Sequence, residues 1–182
     1  LQPTIDAMAE KGTPLKGALF VDLMLCRGIP VVIDYNVRFG DPATQILLSR
    51  LQGDFYALLQ ACRGQGDLKA AIGAMTIDDR PRVSIVLACA GYPERYERGA
   101  EIHLNEAPFD DDPDLWLFED AVRWVPARDG QPERLETIGG RAYTVVAAAD
   151  TIAEARAKAY AATAHVQFEG RHFRGDIGAE WD

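Results

Sequence analysis

A chain of 182 residues, 48% hydrophobic and 26% charged, has the composition of folded soluble protein and room for one large domain or two small ones, which excludes disordered and fibrous classes. Its net charge of -9 opposes attraction to polyphosphate backbones and excludes nucleic acid as a partner, while a small phosphorylated ligand neutralised locally by a divalent metal and an arginine stays compatible. No apolar run approaches the roughly 20 residues that span a bilayer and no signal-peptide pattern opens the chain, so a cytoplasmic protein without membrane partners is expected.

The chain opens on Leu1 rather than Met, and LQPTIDAMAEKG reads as a helix ending at Gly12, a beginning that suggests a fragment. Strands are expected over Gly17 to Leu25 and Ile29 to Val37, joined as an antiparallel hairpin across Cys26-Arg27-Gly28. Asp41 and Pro42 then read as N-cap and first position of a helix with Ile46, Leu47 and Leu51 on its apolar stripe and Gly53 at its end. Asp54 caps a second helix through Phe55, Leu58, Leu59 and Cys62, which stops near Gly64 and Gly66. The polar, proline-bearing stretch Thr76 to Arg82 marks a domain boundary, dividing the chain into residues 1–78 and 79–182.

Beyond that boundary the pattern turns strand-rich. Val83 to Ala90 is a buried-strand run, Gly91-Tyr92-Pro93 a turn, and Asp110 to Asp114 a solvated connection. Further strands are expected over Trp116 to Val125, Arg134 to Ile138 and Ala142 to Ala148, with Gly139-Gly140 as a hairpin connection. Thr151-Ile152-Ala153-Glu154 is a capping box opening an alanine-rich helix to His165. The fold class is therefore α+β.

Chemistry concentrates at Ile33 to Pro42. Side chains alternate along a strand, so Val32, Asp34, Asn36 and Arg38 are expected on one face and Val31, Ile33, Tyr35 and Val37 on the other. Asp34 and Asn36 offer hard oxygen ligands roughly 7 Å apart at the backbone, suited to magnesium, and Arg38 extends the row toward a phosphate oxygen or a carboxylate. The competing reading is an amphipathic strand whose polar face meets water. Asp22 is either solvent-facing or metal-directed; if the hairpin pairs it with Asp34, the two carboxylates converge and need a cation between them. Arg141, just after the glycine pair, either contacts a substrate phosphate or is an exposed arginine. Cys26, Cys62 and Cys89 lack disulfide or zinc spacing, and His103, His165 and His172 do not cluster.

The segment YNVRFGDPATQ resembles the E-F-N-x-R-F-G-D-P-E-T-Q signature of phosphoribosylamine-glycine ligases, members of the ATP-grasp superfamily. Gly91-Tyr92-Pro93 with Tyr96 and Gly99 is similar to the family's G-Y-P-x-x-Y-x-x-G segment, Gly139-Gly140-Arg141 to its G-G-R, and Arg174-Gly175-Asp176-Ile177-Gly178 to its closing R-x-D-I-G. The resemblance implies the C-terminal half of an ATP-grasp domain to about residue 78, then a small strand-rich C-terminal domain closed by a helix. It implies Asp34 and Asn36 as ligands of magnesium or manganese, joined by Asp22 if the register allows, Arg38 and Asp41 as catalytic candidates, and Arg38 and Arg141 as substrate-binding residues. The implied reaction joins glycine to 5-phosphoribosylamine at the expense of ATP, giving glycinamide ribonucleotide, ADP and phosphate in purine biosynthesis.

Three departures from the family pattern stand out: Asp34 in place of Glu, Ala43 in place of Glu, and Glu119-Asp120-Ala121-Val122 where a His-Ala-Gly-Thr segment usually follows the phenylalanine. The resemblance also places an N-terminal domain and the flexible phosphate-covering loop before Leu1, so the fragment is expected to be inactive without that missing N-terminal part. The alternative is a diverged or truncated non-catalytic relative that binds a nucleotide or a partner.

Overall fold

Arg27 (φ 52°) and Gly28 (φ 79°) both adopt left-handed backbone. Two successive positive φ values make the tight turn whose twist matches antiparallel strands. The flanking β-rich runs fold back on each other accordingly: α1 (Gln2–Glu10) leads into β1 (Phe20–Cys26), which pairs antiparallel with β2 (Ile29–Asn36). The computed structural model describes residues 1–128 and 130–181. After the ribbon come α2 (Ala43–Arg50), β3 (Leu51–Gln52), α3 (Phe55–Cys62), α4 (Leu68–Gly73) and β4 (Thr76–Ile77).

Asp54 caps α3 by accepting the Ala57 N–H, and Asp67 caps α4 by accepting the Lys69 and Ala70 N–H groups. A two-stranded pairing of β3 with β4 closes the segment holding these helices. The helix α4 was not anticipated from the sequence. In contrast to expectation, α2 does not use Asp41 as N-cap with Pro42 inside it. It begins at Ala43, with Asp41 and Pro42 in the turn that precedes it, and the Thr44 N–H reaches the Gly40 carbonyl at 2.9 Å.

The chain divides into two compact units, one of Leu1–Thr44 with Arg50–Asp78, the other of Gln45–Ser49 with Asp79–Asp182. In the second unit follow β5 (Arg82–Ala88), β6 (Glu101–Leu104), α5 (Ala107–Asp111), β7 (Leu115–Glu119), β8 (Val122–Val125), β9 (Arg134–Thr137), β10 (Arg141–Ala148), α6 (Ile152–Ala162) and β11 (Val166–Phe168). They form two antiparallel sheets, ordered β5-β10-β7 and β11-β6-β9-β8. Alternate residues Val83, Ile85 and Leu87 of β5 and Tyr143, Val145 and Ala147 of β10 join Ile102, Leu135, Val166 and Phe168 of the second sheet and Ala155, Ala159 and Ala162 of α6 in one core. The alanine stripe of α6 is what lets the helix approach the sheet closely. Its capping box is complete, with the Thr151 hydroxyl accepting the Glu154 N–H at 3.2 Å and the Glu154 carboxylate accepting the Thr151 N–H at 3.1 Å.

The α+β fold class agrees with the sequence reading, but three local expectations do not hold. Trp116 to Val125 is not one strand: Asp120 and Ala121 break it into β7 and β8, which belong to different sheets. Gly139-Gly140 is not a hairpin turn, because β9 and β10 lie in different sheets and the glycines carry the chain from one to the other. The acidic stretch Asp110 to Asp114 is not simply solvated. Asp110 and Asp111 end α5, Asp112 accepts from Lys158 at 2.9 Å, and Asp114 makes a two-pronged ion pair with Arg80 at 2.7 Å. Among the described residues no helix is long and apolar enough to cross a membrane.

Candidate functional site

Strand pairing sets which polar groups meet. Phe20 lies opposite Asn36, Val21 opposite Tyr35 and Asp22 opposite Asp34. Directly opposed residues of an antiparallel pair share a face, so Asp22, Asp34 and Asn36 project together. The register then shifts, with Leu23 opposite Val32, leaving Ile33 as an extra residue on β2. This bulge breaks the alternation, so Val32 does not share the Asp34 face as simple period-two reading requires. Arg38 leaves the expected row as well: β2 ends at Asn36, and the Arg38 guanidinium turns to donate to the Phe39 carbonyl at 2.9 Å.

Within the cluster, the Asp34 carboxylate is held from two sides. One oxygen accepts the Tyr35 N–H at 2.8 Å and the other the Asn36 side-chain N–H at 3.4 Å. With its nitrogen turned to Asp34, the Asn36 amide presents its carbonyl oxygen as the remaining donor to a cation. On the other side of the ribbon the Tyr35 hydroxyl meets the Thr4 hydroxyl of α1 at 3.1 Å. Gly40, which follows, is buried against Phe20, and a Cβ there would lie 2.7 Å from the ring. Only glycine lets the chain pass under that ring, and its carbonyl also receives the Thr44 N–H and hydroxyl. Asp41 is exposed in this turn.

Two carboxylates and an amide oxygen are hard ligands of the kind magnesium and manganese take. Among the described residues no group of three or more histidine, cysteine or acidic side chains could hold a metal.

Arg141, in the second unit, stands with its guanidinium 5.9 Å from the centre of the Tyr92 ring, and Arg98 stands 5.3 Å from that of Tyr96. The network around Asp120 is not legible in the sequence. Its carboxylate accepts from the Thr144 hydroxyl at 2.6 Å and from the Gln45 amide at 3.4 Å, residues 24 and 75 positions away, a separation no local pattern reveals. Ala121 beside it packs where a Cβ on Gly139 would fall, at 2.4 Å. The Glu119 to Val122 segment thus serves here to join β7, β10 and α2.

Residues 1–44 match the phosphoribosylglycinamide synthetase ATP-grasp (A) domain family. The phosphoribosylamine-glycine ligase of Chlorobaculum tepidum is 35% identical over 180 residues, which are 99% of this chain and 40% of that protein. The enzyme of the same name from Salmonella typhimurium is 35% identical over 97% of this chain and 39% of its own length. The crystal structure of phosphoribosylamine-glycine ligase from Thermotoga maritima superimposes with a TM-score of 0.70 and 34% identity over 93% of this chain and 39% of that one. The chain thus spans about two fifths of these relatives, and with the phosphoribosylglycinamide synthetase C domain matched over residues 82–180, more than half its length, it belongs to the phosphoribosylglycinamide synthetase family.

Proposed function

We propose that the chain is the C-terminal part of an ATP-dependent ligase that joins glycine to 5-phosphoribosylamine, giving glycinamide ribonucleotide, ADP and phosphate. The observation that carries this reading is the register that sets Asp22 against Asp34 with Asn36 on the same face, inside the segment most similar to the family's signature. Asp22, Asp34 and Asn36 hold magnesium or manganese in this reading, and the ion, when bound with ATP, supplies positive charge to the phosphate oxygens. Arg38 adds a guanidinium at the end of the ribbon, and Asp41 orients the turn that follows. In the reaction a glycine carboxylate oxygen takes the γ-phosphoryl group and ADP leaves. The phosphoribosylamine nitrogen then attacks the glycyl carbonyl, phosphate departs and the amine loses a proton. The contribution of these residues is neutralisation and positioning of charge.

The relatives' greater length motivates a second element of the proposal, that the first three fifths of the ligase supply the adenine pocket and the phosphate-covering loop. The ribbon β1–β2 supports this, because Leu25 is 73% exposed, Ile29 66% and Ile33 61%, apolar surface that a cytoplasmic enzyme covers. ADP release by the full-length protein, measured with glycine and phosphoribosylamine together and with each omitted, tests the proposal. Release that requires both supports it; nucleotide binding with no release under any condition points to the non-catalytic relative.

A further inference from the structure

Tyr143 of β10 is fully buried, and its hydroxyl finds no hydrogen-bond partner among the described residues. A buried polar group left so is rare in a folded protein and calls for an explanation. Glu119 lies directly opposite Tyr143 on β7, so the two side chains share the face that looks into the core beside Leu115. Burial first, and then the negative charges of Glu119 and Glu106, push the phenol's pKa up, which keeps it a neutral hydroxyl facing both carboxylates. Those same two glutamates line a groove of about 440 Å³ beside the sheet-edge strand β7, with Leu104, Phe109 and Leu115 as apolar walls. The Tyr143 hydroxyl is therefore directed at the floor of this groove. Asp110 adds a third acid, and no lysine, arginine or histidine lines it. None of the three acids forms an ion pair among the described residues.

We infer that this groove binds an alkylammonium group, its N–H donors shared among the Glu106 carboxylate, the Glu119 carboxylate and the Tyr143 oxygen, and its hydrocarbon body laid against Leu104, Phe109 and Leu115. An ammonium has three donors and no acceptor, which matches two carboxylates and one phenol oxygen. The phenol proton in turn is donated to Glu119. A metal ion suits the groove less well, since among the described residues no group of three acids is placed to hold one. A ligand bearing its own carboxylate or phosphate is repelled by the three acids, so glycine and phosphoribosylamine, the reactants of the proposed ligase, do not suit it either. Glu119 also opens the segment that departs from the family's His-Ala-Gly-Thr pattern, so the second carboxylate belongs to this chain and not to the family signature.

The test is a titration of the 182-residue chain with pentylamine at about pH 7, where the amine is protonated, and at fixed ionic strength, followed by the Tyr143 ring and Leu115 methyl signals in nuclear magnetic resonance. Both sets of signals are expected to shift and saturate with pentylamine. They are expected to stay fixed with pentanol, which keeps the body without the charge, and with norleucine, which adds a carboxylate. Glu119→Gln is expected to weaken binding about tenfold or more, the loss of one charge-assisted contact. Tyr143→Phe is expected to weaken it as well while leaving the melting temperature level or higher, because the hydroxyl it removes has no partner in the free chain. Pentylamine held more tightly than Nα-acetyl-lysine amide assigns the ammonium to a free amine, and the reverse order assigns it to a lysine side chain. Stationary signals at about 50 mM pentylamine, above the dissociation constant of even a weak contact, would overturn the inference, as would an equal response to pentanol. Undiminished affinity in Glu119→Gln, or a loss of stability in Tyr143→Phe with affinity unchanged, would overturn it too.

Discussion

Like charges held opposite each other on adjacent strands repel, and Asp22 and Asp34 are so placed. Asp22→Asn is therefore expected to raise the melting temperature of the metal-free chain slightly while weakening magnesium-ADP binding about tenfold, the scale of one charged ligand contact. A calorimetric titration beside a thermal melt reads both signs, and a stability loss accompanied by unchanged binding would remove Asp22 from the site. A second residue-scale consequence concerns pH. The Lys158 ammonium, donating at 2.9 Å, holds the Asp112 carboxyl below the usual carboxylate range. Because the folded-state value lies below the unfolded value near about 3.9, the stabilisation from this pair is complete above that value and is lost as the pH falls through the lower folded one. Melts of the wild type and Asp112→Asn are expected to differ at about pH 6 and to converge as the pH falls below the lowered folded value. The Asp34 cluster was legible as residue types in alternation, whereas its true face was not, because nothing in VVIDYN marks Ile33 as the bulged residue.

The elements best forecast were those written in local sequence. The capping box at Thr151 and the turn at Arg27-Gly28 each place all their determinants within a few residues, and both form. Thr151→Ala is expected to cost about 1 kcal/mol in denaturant unfolding, since the first turn of α6 loses a side-chain acceptor. An unchanged midpoint would mean that core packing of Ala155, Ala159 and Ala162 alone decides the helix. By contrast, α4 spans only Leu68–Gly73 between glycines, too short for a periodic signal, and its one marker is the cap Asp67. The glycine pair after β9 misled for a different reason: a hairpin and a sheet-to-sheet crossover ask for the same residue, and only the pairing of distant strands separates them. Its demand is steric, since Gly140 is pressed against Tyr92. Gly140→Ala is accordingly expected to destabilise the chain by about 1–3 kcal/mol, the cost of overpacking.

At the scale of the molecule, each of the two units has its own logic. The second closes two sheets and α6 around one apolar core and satisfies much of its charge internally, as in the buried Glu136 carboxylate paired with Arg123 at 2.6 Å. The first leaves its ribbon largely uncovered, with Leu23 and Met24 each 53% exposed beside the acid pair. The pattern of strands and helices carried the α+β class and the signature carried the family, while the Asp120 contacts with Gln45 and Thr144 depended on long-range packing and stayed hidden. In the proposed reading the ribbon's acid pair and amide hold a divalent ion beside a nucleotide. Manganese broadens the signals of nuclei close to it, so a manganese titration of the chain with ADP, followed residue by residue in nuclear magnetic resonance, tests that claim most directly. Asp22, Asp34 and Asn36 are expected to fade first, with Asn36→Ala abolishing the effect; fading centred on the acidic stretch Asp110 to Asp114, with the ribbon untouched, would remove the ion from the ribbon.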